Sequence, residues 1–190
     1  MITSNLLRGE KIRLTAVENR DVAAMARWWE DDEFLRNYDT LPAAPRTEDQ
    51  LSRLISDEQG SNNGYLFGIR PLDDETIIGL LELSGIQWSH GTAYIGIGLG
   101  DAAYRGRGLG EDAMRVGLRF GFDELNLHRI WLTVIGYNAR AIALYERLGF
   151  VREGAYREHV ARDGSRYDMV VYGLLRSEWR QRLPWRQGLP

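Results

Sequence analysis

The chain has 190 residues, 44% of them hydrophobic and 27% charged, which fits one globular domain long enough to bury a core. A formal net charge of -3 with no block of like charge argues against direct nucleic-acid binding, which demands a basic face. No cysteine occurs, which excludes disulfides, thiolate-bound zinc and a cysteine nucleophile. The histidines at His90, His128 and His159 lack ligand spacing, so no metal site is expected.

The opening residues hold no apolar run of signal-peptide length, and nowhere do about 18 apolar residues follow one another; a soluble cytoplasmic protein with no membrane partner is the expectation. "EKIRLTAV" (10–17) alternates as a half-buried strand does. "NRDVAAMARWWEDDEFL" (19–35) sets Val22, Met25, Ala26 and Trp29 at helical spacing. A two-proline loop (37–46) follows, then a helix over 47–59 with Thr47 as N-cap and Gln50 completing a capping box. Strands are predicted at 65–70, 76–88 and 92–99, with turns between them, and a helix over 109–125. A further strand spans 129–136, and a helix runs from an asparagine cap at 138 to a glycine stop at 149. Two strands flank Asp163-Gly164, a two-residue hairpin signal, before a short terminal helix and a frayed tail at 184–190. The order, β-α-α-β-β-β-α-β-α-β-β, is that of a mixed α/β single domain spanning 1–190 with its core at 10–175, without repeats or a dividing linker.

Two glycine clusters stand out. Gly96, Gly98 and Gly100 alternate, so they strip one face of a strand; either a packed helix or a ligand accounts for them. Gly106, Gly108 and Gly110 join that strand to the next helix, where glycine permits positive φ and a turn of successive N–H groups. The first N–H groups of a helix lack internal partners and lie at the positive end of its dipole, so the turn forms a diphosphate cradle, with Arg105 and Arg107 adding charge. A P-loop is ruled out because Gly110 is followed by Glu-Asp. A dinucleotide fold fits poorly because the spacing is GxGxG and the following strand ends without an acid, so the turn by itself points to a phosphate-bearing cofactor and no further.

Arg105-Gly106-Arg107-Gly108-Leu109-Gly110 resembles the [Q/R]-x-x-G-x-[G/A] signature of the GNAT superfamily of acyl-CoA-dependent N-acetyltransferases. "YNARAIALYERLGFVREG" is similar to its second signature, and "ELNLHRIWL" and "GSRYDMVVYGLL" resemble the Rim-type ribosomal-protein and spermidine acetyltransferases. The resemblance implies a splayed central mixed sheet flanked by helices and acetyl-CoA as cosubstrate. It places the diphosphate on the backbone of 105–110, Leu109 included, and the pantetheine arm against the backbone of Gly98, Leu99 and Gly100. By the same resemblance Asn138 hydrogen-bonds the pantetheine and Tyr145 holds the sulfur. Seven residues apart on one helix, these two point within about 20° of each other.

An attacking amine must be neutral, so a general base is expected; Glu82, which interrupts the apolar run "IIGLLELSGI", is the candidate. The acceptor zone is expected among Trp28, Trp29, Phe34, Tyr38 and Asp39, with Trp29 and Tyr38 as acceptor contacts. Two adjacent tryptophans, about 100° apart, cannot both face the core of one helix, so one lines the pocket or lies on the surface. The acceptor is either a protein N-terminus or a small-molecule amine. The acids of "WWEDDE" keep a polyamine open, but such a run also reads as a solvated helix end, and the nearly neutral loop "YDTLPAAPR" speaks against a polyamine; a homodimer is a further option. Two other readings stay open: a non-catalytic acyl-CoA binding or sensing module, and an ordinary nucleotide-binding protein.

Overall fold

Strand β1 (Ile12–Thr15) leads into helices α1 (Val22–Trp28), α2 (Asp32–Tyr38) and α3 (Glu48–Gln59), then strands β2 (Tyr65–Pro71), β3 (Gly79–Gln87) and β4 (Thr92–Leu99). Helix α4 (Leu109–Arg119) continues through a π-helical turn (120–124), followed by β5 (Arg129–Ile135), α5 (Ala139–Leu148), β6 (Val151–Arg162), β7 (Ser165–Leu175) and α6 (Arg176–Gln181). This is a computed structural model; it describes residues 5–182, and the tail expected at 184–190 lies outside the described residues.

The seven strands form one sheet in the order β1-β2-β3-β4-β5-β7-β6. All pairs are antiparallel except β4–β5, which are parallel and pair only over Thr92–Tyr94 with Arg129–Trp131. Beyond the Tyr94–Trp131 ring contact (5.1 Å) the two strands splay, leaving a cleft between the rest of β4 and β5. On one sheet face Leu81, Leu83 and Ile95 pack with Ala113, Met114 and Leu118 of α4 and Leu148 of α5. On the other, Leu66 and Leu80 pack with Met25, Trp28, Phe34 and Leu51 of α1–α3.

The expected single helix over 19–35 is two. Asp31 adopts extended backbone (φ -91°, ψ 107°), and its Oδ1 accepts the N–H groups of Glu33 (2.9 Å) and Phe34 (3.3 Å), so the chain is recapped in mid-run. Three helices therefore precede β2, one more than the sequence predicts. Because α1 ends at Trp28, the 100° rule does not bind its neighbour. Trp28 and Trp29 are both buried, Trp28 against Gly100 at the end of β4 and Trp29 lining the cleft, so one of the two does line the pocket while neither lies on the surface. Elsewhere local signals hold. Thr47 and Gln50 form the reciprocal capping box, and the β6–β7 turn carries Asp163 (φ 51°) and Gly164 (φ 73°), the geometry of a type I′ hairpin.

Candidate active site

The splay opens a cleft of about 980 Å³ that runs from the 105–110 turn, between β4 and β5, to the α1–α2 side of the sheet. At one end Gly106 (φ 75°) and Gly108 (φ 80°) both take left-handed backbone, and Gly108 caps α4 without a side chain. A methyl group at Gly106 would meet nothing within 4 Å, so this turn is bare toward open space rather than toward the protein. The free N–H groups at the start of α4 fit an anionic diphosphate there.

Arg105 does not contribute as expected. Its guanidinium pairs with Asp31 (2.7 Å) and Glu33 (3.2 Å) and donates to the carbonyls of Leu99 (3.1 Å) and Gly100 (2.8 Å). It clamps the start of α2 to the end of β4, with its charge balanced inside the protein. Arg107 is exposed, its guanidinium 5.5 Å over the Tyr104 ring. Lys11, which sequence reasoning passed over, reaches the turn from just before β1 and donates through Nζ to the Arg107 carbonyl (3.2 Å).

The strand glycines serve packing. A methyl at Gly98 would come within 2.5 Å of the Tyr38 ring, and one at Gly100 would overlap the Trp28 indole. The bare face of β4 lets α1 and α2 lie against the strand. The amide of Gly100 donates to Ile78, so by strand alternation the amides of Gly98 and Gly100 turn to β3 while those of Ile97 and Leu99 turn to the cleft. Of the three residues expected along the pantetheine arm, Leu99 has its amide so placed.

Asn138 and Tyr145 both line the cleft, as their spacing requires. The Asn138 Oδ1 caps α5 through the Ala141 amide (3.1 Å), leaving its amino group as the part able to donate to a ligand. Tyr145 is buried beside Phe150 and Tyr172; burial first, and the Tyr94 hydroxyl second, push its phenol further above the ordinary value. Tyr94, a second residue absent from the sequence reading, also lines the cleft, and burial raises its phenol too. It was hidden because an aromatic on a strand reads as core.

Glu82 faces the same cleft. It stands opposite Gly96, and a methyl there would come within 2.7 Å of its Oε1, so the glycine makes room for this carboxylate. Burial pushes Glu82 above the usual carboxylate range, and Glu58 on α3 pushes the same way. Trp29, Phe34 and Tyr38 build an aromatic wall beside it, Trp29–Phe34 at 5.3 Å and Phe34–Tyr38 stacked at 4.8 Å, with Arg46 5.7 Å over Trp29. The hairpin tip closes this end: Arg162 donates to the Leu41 carbonyl (2.9 Å) and Arg36 pairs with Asp163.

Residues 11–151 match the model of the acetyltransferase (GNAT) domain family. The chain is 31% identical over 171 residues to the SPbeta prophage-derived uncharacterized N-acetyltransferase YokL of Bacillus subtilis (strain 168), covering 90% of this chain and 93% of that one. It is 26% identical to the [ribosomal protein uS5]-alanine N-acetyltransferase of Escherichia coli (strain K12), covering 89% and 93%. Among solved structures, spermidine N-acetyltransferase from Vibrio cholerae in complex with CoA and spermine superposes with a TM-score of 0.80 at 27% identity, covering 88% of this chain and 97% of that one. No helix among the described residues is long and apolar enough to cross a membrane.

Proposed function

The chain belongs to the GNAT acetyltransferase family and is an acetyl-CoA-dependent N-acetyltransferase, and on that premise we propose how its cleft divides the work. The chain acts as one cytoplasmic acetyltransferase domain over 1–190, with its core at 10–175. The amides of 106–110 hold the coenzyme diphosphate, and the Leu99 backbone and the Asn138 amino group line the pantetheine arm. Acetyl-CoA supplies an activated acyl carbon. A primary ammonium enters past Trp29 and Tyr38 and gives up a proton to Glu82, and the neutral amine attacks that carbon directly. The C–N bond forms as the C–S bond breaks; Tyr145 donates a hydrogen bond to the departing thiolate, which takes up the second proton shed by the acylated nitrogen.

The observation that carries this reading is one cleft lined at once by the bare turn, the raised phenol of Tyr145 and the raised carboxylate of Glu82. The raised phenol sharpens Tyr145's role. A thiol titrates near ~8.5 and an ordinary tyrosine near ~10, so handing over the proton runs uphill and donating a hydrogen bond does not. The acceptor is a protein N-terminus or a small-molecule amine. A polyamine is the second reading, favoured by the likeness to the Vibrio enzyme, although Arg105 holds Asp31 and Glu33 and leaves Asp39, Glu58 and Glu82 to line the acceptor end.

Thiol release measured over a panel of peptide N-termini, polyamines and small amines tests both readings. Tyr145→Phe is expected to lower kcat on the best acceptor by about 10²-fold with coenzyme binding retained. A loss under about tenfold removes Tyr145 from the chemistry. Tight coenzyme uptake with no product across the panel would instead mark a binding module.

A further inference from the structure

We propose that Lys11 supplies the positive charge that meets the coenzyme diphosphate in the glycine turn, an assignment that rests on reading that turn as the cradle. The Lys11 Nζ lies 3.2 Å from the Arg107 carbonyl, and a methyl at Gly108 would come within 2.9 Å of it. The ammonium therefore hangs over the peptide units that open α4.

Its place is fixed from the cradle helix itself. Asp112, in the first turn of α4, accepts the backbone N–H groups of Glu10 (3.1 Å), Lys11 (2.7 Å) and Ile12 (3.0 Å). Gly9 leaves the room this carboxylate needs, since a side chain there would overlap it. The backbone that carries Lys11 is thus fastened to the same turn of helix that presents its amides to the ligand.

The surrounding acids do not claim the ammonium. Asp112 is taken up by three amides, and Glu111 is held by Arg115 (2.8 Å) and Arg147 (3.3 Å). Among the described residues Lys11 forms no ion pair. An ammonium carries three hydrogens, and one carbonyl leaves two for an arriving anion. Arg105, which the sequence nominates for phosphate, is spent on Asp31 and Glu33, so the charge comes from the opposite rim of the turn. Lys11 is also the only lysine in a chain otherwise basic through arginine. A compact point charge on a flexible stem meets a diphosphate without demanding the planar fit of a guanidinium.

Calorimetry on the full chain with CoA and with dephospho-CoA tests this, alongside transfer assays with phosphate-free S-acetylpantetheine. Lys11→Met is expected to raise Kd for both nucleotides by about tenfold or more, the scale of one charge-assisted hydrogen bond. It should leave kcat/KM for S-acetylpantetheine and the unfolding temperature of the free protein nearly unchanged, and Lys11→Arg should recover most of the affinity. Kd within about twofold of wild type for both nucleotides, or a loss confined to CoA that shifts the contact to its 3′-phosphate, overturns the assignment. An equal loss with S-acetylpantetheine does so too. Wild-type protein that takes up neither nucleotide sinks the cradle and Lys11 with it, an outcome distinct from normal wild-type binding matched by Lys11→Met.

Discussion

Replacing Arg105 by methionine separates a phosphate ligand from a structural clamp. The substitution keeps most of the apolar stem and removes every donor, so the carbonyls of Leu99 and Gly100 lose their hydrogen bonds. A buried acceptor left unpaired costs roughly 1–3 kcal/mol. The two carboxylates add less. The Asp31 side chain is 31% exposed and that of Glu33 61%, so water recovers much of what they lose. The sum is about 2–4 kcal/mol, which for a domain of this size lowers Tm by roughly 5–15 °C. Scanning calorimetry should register that drop, while the Kd for CoA stays within about threefold of wild type. The loss should shrink in acid. Burial alone raises Asp31, but the Arg105 hydrogen bond together with the Phe34 and Glu33 amides outweighs it and holds the group below 3.8. Its contribution is therefore full above that value and disappears as pH falls through the depressed one. An unchanged Tm with CoA affinity down tenfold or more would restore Arg105 to the phosphates and refute the clamp.

Glu82→Gln should lower kcat/KM by about 10²-fold and abolish the acid limb of its pH profile, read as thiol release across pH. It should also raise Tm at neutral pH. The folded pKa of Glu82 lies above 4.5, so wild type loses stability as pH rises through that raised value and the glutamine does not. An unchanged acid limb would assign the base elsewhere. Gly100→Ala drives a methyl into the Trp28 ring and should cost about 1–3 kcal/mol in urea unfolding; no measurable cost would mean that α1 does not rest on β4 as described.

What the sequence made legible was local. The cap at Asn138, the stop at Gly149 (φ 95°), the capping box at Thr47 and the Asp163-Gly164 turn depend on neighbours within a few residues, and each forms as read. The two signature segments likewise place Gly106–Gly110 and Tyr145 on one cleft. Illegible were partners distant along the chain. Arg105 finds Asp31 across 74 residues, and Lys11 finds Arg107 across 96. "WWEDDE" reads as a solvated helix end because nothing in its own window announces that two of its acids face an arginine on another element, or that Asp31 will restart the helix.

The two glycine clusters answer opposite demands, and their contrast accounts for the reach of Glu82. At Gly98 and Gly100 the strand is bare so that the protein can close on it: Tyr38, Phe34 and Trp28 fill the space and bring the aromatic wall down to the strand. At Gly106 the turn is bare so that nothing of the protein closes, and a ligand has the space. Gly96 lies between these cases. It is the strand-neighbour of Glu82, and β4 is the last strand before the gap, so the carboxylate must cross one inter-strand spacing, ~4.8 Å, to meet a nucleophile at the edge. Any side chain at 96 would stand in that path. On the proposed mechanism the third glycine of the face keeps open the line between base and amine, while its neighbours two and four residues on fix the wall along which that amine arrives.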